Sequence, residues 1–483
     1  MAEPLWQHQQ AAIDFIEQLN GRGMVAMEMG TGKSRVAIEL LVRRNVKRAL
    51  VLAPKSVVAV WPKEFAKHRP DLQNEWRILA LDNGTCAKRA DAVRQAASLA
   101  ERFDWPLVVV LNYEACTEGA LATLLKTMTW DAIICDECHR LKDPTGKRSK
   151  FLARLADGIP MRVGLTGTPC PHSPLDLWAQ FRLIDRSVFG PSYHSFRFRY
   201  ATMGGFQDKQ VVGYQRMDEL TLKFHKHASR VRTEDVLELP PFVDERRYCM
   251  LSGKTRSAYT AFEKDLVAAI DTGIVTATNA LVKLLRLSQF TSGFWHDEAT
   301  GSQNELGGEK RELLREALAE VQEQRETDNL HGTMRSTDAE PVVVFGRFHW
   351  DLDTIASVCK ELGLTSSELS GRRNELQAWQ DGATDVLAVQ LQAGGLGVDL
   401  TRARVCVYYS LNYSLGDYMQ TRARVHRPGQ TRSVLYLHLL AANTVDEVVY
   451  TALERREEVV KSVVDALRGS RGANARSKAR AQF

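Results

Sequence analysis

Met27-Glu-Met-Gly-Thr-Gly-Lys-Ser34 sits between a short apolar run, Met24 to Met27, and a helical pattern that opens near Ser34. Strand, glycine-rich turn, Lys-Ser and helix is the order of elements that wraps a nucleotide's phosphates. Gly30 and Gly32 let the backbone around Thr31 turn its N–H groups inward, and the helix behind adds its positive end. Lys33 can then reach the β- and γ-phosphates, and the Ser34 hydroxyl can ligate Mg²⁺. The strict pattern GxxxxGK[ST] wants a glycine where this chain has Met27, so only the looser form is met. Alone, these residues fit an ordinary glycine-rich turn as well.

At 483 residues the chain is too long for one ordinary core and predicts two to four domains. Its 44% apolar and 25% charged content excludes wholesale disorder. No run approaches the length of a membrane span. Met1-Ala-Glu-Pro-Leu-Trp6 lacks a basic region followed by an apolar stretch, so an intracellular protein without a membrane partner is expected. Eight cysteines are too sparse for a disulfide scaffold. Cys135 and Cys138 have CxxC spacing but no second pair, which predicts a buried thiol pair rather than a zinc site. The net charge is +5, and Arg468, Arg471, Arg476, Lys478 and Arg480 near the C-terminus equal that excess with no acid among them. This stretch reads as a disordered basic arm, either touching nucleic-acid phosphates or simply solvated.

Through the first half, apolar runs recur at Ala49–Ala53, Leu107–Leu111, Ala132–Cys135 and Val163–Leu165, separated by helical stretches such as Ser34–Arg44. Continuous apolar strands alternating with amphipathic helices predict a parallel sheet covered on both faces, with ligands at the strands' carboxyl ends. Asp136-Glu137 leaves one such strand. Asp136 is suited to hold Mg²⁺ through water and Glu137 to orient or deprotonate an attacking water, although a bare acidic pair also fits a solvated turn. Thr166 and Thr168 end another strand. They can couple a nucleotide site to a neighbouring surface or simply close the strand.

The rhythm lapses from Asp185 to Phe242. Tyr193–Tyr200 interleaves aromatics and arginines, which fits a half-buried helix or strand better than a nucleic-acid grip. Gly204-Gly205 and the polar run behind it read as a loop. Two prolines, Pro240-Pro241, mark a domain boundary. Tyr259–Phe290 predicts a helical hairpin. Lys310–Gln324 predicts an amphipathic helix between surface loops at His296–Gly308 and Arg325–Glu340. Strand-like runs resume at Val342–Phe345, Val386–Val389, Val405–Tyr409 and Val434–Leu437, predicting a second parallel sheet. Ala393-Gly-Gly-Leu-Gly-Val-Asp399 follows one of them. Gly395 there permits close approach, and Asp399 reads a ribose or a neighbouring loop, or the stretch is a flexible turn. Arg424 and Arg427 are three apart and on a helix would share a face. Two guanidiniums together suit the charge on a transferring phosphoryl group, or form a solvated basic face.

MEMGTGKS, ALVLAPKSVVAVWPKEF, DECHRLKDPTGKRSKFLARL and LTGTPCPHSPLDLW resemble, in order and spacing, the first motor lobe of superfamily-two helicases, and most closely the SWI/SNF-type branch. Leu5-Trp-Gln-His-Gln9 resembles that family's adenine-sensing element, with Gln9 at the glutamine position. Ser229–Pro241 resembles the segment leading from lobe one to lobe two, and AGGLGVDL with the QxxxRxxR run from Gln420 resembles the family's last two motifs. Met27 stands where the family usually has an acid, and His172 where an asparagine is common.

The resemblance implies an α/β chain of two tandem RecA-like parallel-sheet lobes with helical protrusions. Lobe one with its protrusion would span 1–240, lobe two with its protrusion 241–465, and the basic tail 466–483. It implies Mg-ATP held by Lys33, Ser34, Asp136 and Glu137, with Arg424 and Arg427 reaching it from the second lobe and Gln420 beside them. Thr166, Thr168, Gly395 and Asp399 become coupling or nucleic-acid contacts. The implied activity is ATP-driven translocation along duplex DNA by a monomer, with single-stranded DNA open as a track. The alternatives are a strand-separating helicase, a non-translocating ATP-dependent DNA clamp and, with less support, an RNA track. The compact chain resembles a prokaryotic or viral member, which implies a cytoplasmic location, with the nucleus left open.

Overall fold

The computed structural model describes residues 4–171, 173–204, 210–271, 285–296, 302–330, 340–392, 398–412, 414–451 and 453–454. His172, Gly395 and the 466–483 tail therefore lie outside the described residues. The chain divides into two compact units, the first running to Glu238 in its described part and the second spanning Leu239–Arg455.

The first unit is built on the apolar runs. Strands β1 (Arg22–Met27), β2 (Arg48–Ala53), β3 (Arg77–Leu81), β4 (Leu107–Asn112), β5 (Ala132–Asp136), β6 (Met161–Leu165) and β9 (Ala228–Val231) form one sheet in the order β3-β4-β2-β5-β6-β1-β9. Every pairing in it is parallel. Alternate residues of a strand point to opposite faces, so each run feeds two cores. Met24, Ala26, Leu50, Leu52, Val109 and Ile133 enter one buried cluster. Val25, Met27, Val51, Val110 and Ile134 enter the other, with helices α1 (Gln7–Gln18) and α2 (Lys33–Arg43) packed on that side. Burial on both faces is why these strands read as continuous apolar runs.

Two stretches differ from their sequence reading. Ala201–Gly204 (β7) pairs antiparallel with Gln210–Tyr214 (β8), so Gly204 stands in a strand, while 205–209 of the stretch read as a loop lie outside the described residues. The Ser229-Arg-Val segment, read as part of a passage between domains, lies in β9 and returns to the first sheet beside β1. Tyr193–Tyr200 is a helix that buries Phe196 and Tyr200, in keeping with the bland reading of its aromatics.

The second unit has a six-stranded sheet in the order β10-β17-β16-β13-β15-β14, again parallel throughout. Its strands are β10 (Phe242–Cys249), β13 (Val342–Gly346), β14 (Ser366–Leu369), β15 (Val386–Gln390), β16 (Val405–Tyr408) and β17 (Val434–Ala441). Phe294–His296 (β11) pairs antiparallel with Gln303–Glu305 (β12), which is a strand within the His296–Gly308 stretch read as a surface loop. The helix Glu309–Leu330 runs past Gln324, so the start of the second predicted loop is helical too. Of the predicted hairpin at Tyr259–Phe290, the described parts are the helix Gly253–Asp271 and a helical turn at 285–291. Among the described residues no helix is long and apolar enough to cross a membrane.

Candidate active site

Parallel strands in register end together, and the site of the first unit follows from that. Asp136 pairs with Leu165, Val25 with Leu165 and Met27 with Val231. The carboxyl ends of β5, β6, β1 and β9 therefore deliver four segments to one sheet edge: Asp136-Glu137, Thr166–Thr168, the 28–32 loop and Arg230–Thr233.

The loop adopts backbone angles that only glycine takes without strain. Gly30 has φ +80° and Gly32 φ +84°. A Cβ on Gly32 would also collide with Gln9 Nε2. Gln9, 2% exposed, donates from Nε2 to the Thr31 carbonyl at 3.2 Å and accepts the Trp6 N–H at 3.1 Å. His8 Nε2 lies 2.9 Å from the same Thr31 oxygen. The glutamine read as a base sensor thus sits directly on the phosphate-loop backbone. Thr31 Oγ1 donates to the Glu28 carbonyl at 2.6 Å, and Lys33 Nζ donates to that oxygen at 3.2 Å.

Asp136 is buried, its Oδ2 accepting the Trp61 indole N–H at 3.2 Å and its carbonyl accepting the Tyr113 hydroxyl at 2.7 Å. Burial first, and then the Glu137 charge, raise its carboxyl well above the ordinary range, while Lys33 and Trp61 pull the other way. Glu137 has φ +51°, a left-handed backbone that costs a non-glycine residue about 1–3 kcal/mol. Its Oε2 lies 3.2 Å from His139 Nδ1, which is also 3.1 Å from Thr166 Oγ1. Thr166, fully buried, accepts the Thr168 N–H at 3.1 Å. One imidazole therefore bridges the acidic pair on β5 to the hydroxyl on β6.

Sequence reasoning missed several residues of this edge. Arg230 donates to the carbonyls of Ala26 (3.1 Å) and Gly167 (3.2 Å) and to Glu28 Oε1 (3.1 Å). Glu28 Oε2 accepts the Thr233 N–H at 3.1 Å, and Thr233 Oγ1 donates to the Met29 carbonyl at 3.1 Å. Strand β9 thereby staples the loop to the 166–168 turn. Trp61, Tyr113 and His139 gave no signal of their own, because their roles arise only from contacts across the fold. Cys135 and Cys138, below the acidic pair, are buried free thiols.

In the second unit Gln420 and Arg424 lie on the helix Leu415–Val425, which Ser414 Oγ caps by accepting the Asp417 N–H at 3.2 Å. The helix stops at Val425, so Arg427 lies beyond it and does not share a helical face with Arg424. Pro428 disfavours helical backbone at the residue before it, and Gly429 turns the chain with φ +104°. The arginine segment is tied to the preceding motif. Leu400 N–H donates to the Arg424 carbonyl at 3.0 Å, and Gln430 Nε2 donates to the carbonyls of Thr401 and Ala403. Asp399 Oδ1 accepts from the Thr401 N–H (2.9 Å) and hydroxyl (2.7 Å), capping its own turn.

Residues 8–299 match the SNF2-related domain, and residues 311–429 match the helicase conserved C-terminal domain. The chain belongs to the SNF2-related family. This SNF2-related chain is 26% identical over 480 residues to a SWI/SNF-related regulator of chromatin, subfamily A-like protein 1 homolog, from Caenorhabditis elegans, covering 96% of itself and 62% of that protein. It is 24% identical over 526 residues to the rice DNA repair and recombination protein RAD54, covering 94% of itself and 51% of that protein. A protein p41 of Acyrthosiphon pisum secondary endosymbiont phage 1 is 25% identical, with 92% of this chain and 95% of that one covered. The chain thus spans 62% and 51% of the lengths of these chromatin and repair relatives. The helicase domain of Pyrococcus furiosus Hef, 14% identical, superposes with a TM-score of 0.52 over 92% of this SNF2-related chain and 97% of that one, a likeness of fold. Two parallel sheets in tandem are the two RecA-like lobes of that fold.

Proposed function

We propose that this SNF2-related chain couples ATP hydrolysis to translocation along DNA, with duplex DNA as the favoured track. The observation that carries the reading is the single sheet edge on which the glycine loop, Lys33, the Asp136-Glu137 pair and the His139–Thr166 bridge meet. Lys33, with the loop amides of Gly30, Thr31 and Gly32, would hold the phosphates, and Gln9 the adenine side of the loop. Glu137 would orient the attacking water. Arg424 and Arg427, assigned from their motif, would stabilise the transferring phosphoryl group, with Gln420 beside them.

The residues fit a magnesium ion. Ser34 and Asp136 offer hard oxygen donors, and a cation would relieve the buried carboxylate that burial and Glu137 now disfavour as an anion. No group of three or more His, Cys, Asp or Glu among the described residues could hold a metal unaided. When bound, the ion neutralises charge on the phosphates. DNA as the track is supported by relatives named for DNA repair, recombination and chromatin regulation. Thr166 and Thr168 would pass the state of the nucleotide site to the DNA-contacting surface.

The test is ATPase rate with duplex DNA, single-stranded DNA and RNA in parallel, at a fixed stated salt, beside displacement of a third strand from a triplex. The reading expects duplex stimulation and displacement. Stimulation by single strands with unwinding of forks would replace it with a helicase, and ATP-dependent residence without displacement with a clamp.

A further inference from the structure

Arg422 lies in the arginine segment but at neither finger position, and its side chain is committed to the sheet. Its guanidinium, 12% exposed, sits 4.4 Å from the ring centre of Tyr436, 4.8 Å from Phe242 and 5.5 Å from Tyr418. It donates to Asp244 Oδ2 at 2.9 Å and to the Tyr418 hydroxyl at 3.1 Å, and the Tyr436 hydroxyl donates to the Arg422 carbonyl at 3.0 Å. Four residues on, His426 Nε2 lies 2.7 Å from the Pro240 carbonyl and its ring meets Phe242 edge-on at 5.3 Å. Pro240, Phe242 and Asp244 belong to the stretch by which the chain enters the second unit, whose first residue is Leu239. That stretch begins an edge strand: among the described residues β10 is bonded to β17 alone, and Phe242 and Val243 are 49% and 57% exposed.

We infer that Arg422 is a positioning residue, hooking the helix that carries Arg424 onto the first residues of β10 so that this one finger is held where the transferring phosphate needs it. The inference rests on the finger role proposed above. A planar cation held between rings and a carboxylate fixes both distance and orientation, which a lysine in the same place would do only in part. Fingers act on charge that exists only in the transition state, so loosening their anchor lowers kcat and leaves KM for ATP nearly unchanged.

The experiment is steady-state ATPase at saturating duplex DNA for the full chain, Arg422→Ala, Arg422→Lys, Arg424→Ala and the double variant Arg422→Ala/Arg424→Ala. Arg422→Ala should lower kcat by about 10- to 100-fold, the cost of misplacing a catalytic group by about an ångström, with KM within about twofold. Arg422→Lys should recover part of that loss. In the Arg424→Ala background the Arg422→Ala change should cost nothing more, whereas a merely structural residue would add its cost again. An unchanged kcat in Arg422→Ala, or the full cost repeated in the double variant, overturns the inference. If Arg422→Ala does not fold, Tyr436→Phe removes only the hydroxyl that holds the Arg422 carbonyl. A fall of about threefold in kcat, absent when Arg424 is already alanine, is then expected, and no change overturns the inference. Full activity in Arg424→Ala would instead bring down the finger assignment.

Discussion

The two units carry their candidate residues in opposite ways. In the first, four neighbouring strand ends deliver loop, acids, hydroxyls and Arg230 to one edge, and the residues bond to each other. In the second, the arginine segment runs off the end of a short helix, and its anchor is an exposed edge strand reached through one largely covered cation. The first arrangement fixes geometry through the sheet itself. The second fixes it through a few side chains, and so depends on single residues that no motif names.

The largest expected effect falls on the first arrangement. Lys33→Ala should abolish ATP turnover, measured as phosphate release; full activity would remove the central assignment. Arg424→Ala comes next, with kcat expected to fall by about a thousandfold or more if it acts as a finger. Arg230→Ala breaks the staple between β9 and the loop while leaving every residue of the loop itself unchanged. It leaves Glu28 half-paired and should cost about 3 kcal/mol by urea unfolding of the first unit, with weakened binding of a fluorescent ATP analogue. Gly32→Ala forces a left-handed alanine against Gln9 and should cost about 1–2 kcal/mol, with a matching loss of nucleotide affinity.

The smallest effect sharpens the second arrangement. His438 is buried, 2.9 Å from the Tyr418 hydroxyl, and burial, then the Arg422 charge, hold its pKa down to about 3 against an ordinary 6.5. The unfolded chain takes up a proton below pH 6.5 while the folded ring stays neutral to about pH 3. The second unit should therefore be most stable above pH 6.5 and lose about 1.4 kcal/mol per pH unit below it. Denaturant midpoints for the native chain and His438→Gln, compared between pH 7 and 5, would show the native slope flattened in the variant.

The strands buried on both faces were legible because burial makes them continuous apolar runs, as at Leu107–Leu111. Edge strands hid. Phe242-Val-Asp-Glu-Arg-Arg-Tyr-Cys249 carries four charges in a row because its faces are largely exposed, and Ala228–Val231 is short and half polar. The glycine turn after β1 and the acidic pair at the end of β5 were legible because their signals are local to a few residues. Trp61, Arg230 and Arg422 were not, since their partners lie 75, 202 and 178 residues away and only the fold brings them together. The arginine pair misled in one respect: its three-residue spacing suggested a shared helical face, and Pro428 forbids one.

Met27, the residue that departs from both motif and family habit, is fully buried at the end of β1 beside Val231 and packs into the core that includes Val36 of α2. The loop therefore hangs from two tethers of different kinds, an oily one at Met27 and an ionic one from Glu28 to Arg230. Salt weakens only the second, and little, because that pair is mostly shielded from water. Cold weakens the first, since apolar burial loses strength on cooling. The loop should thus hold its shape across a wide range of ionic strength and give way sooner to chilling than to brine.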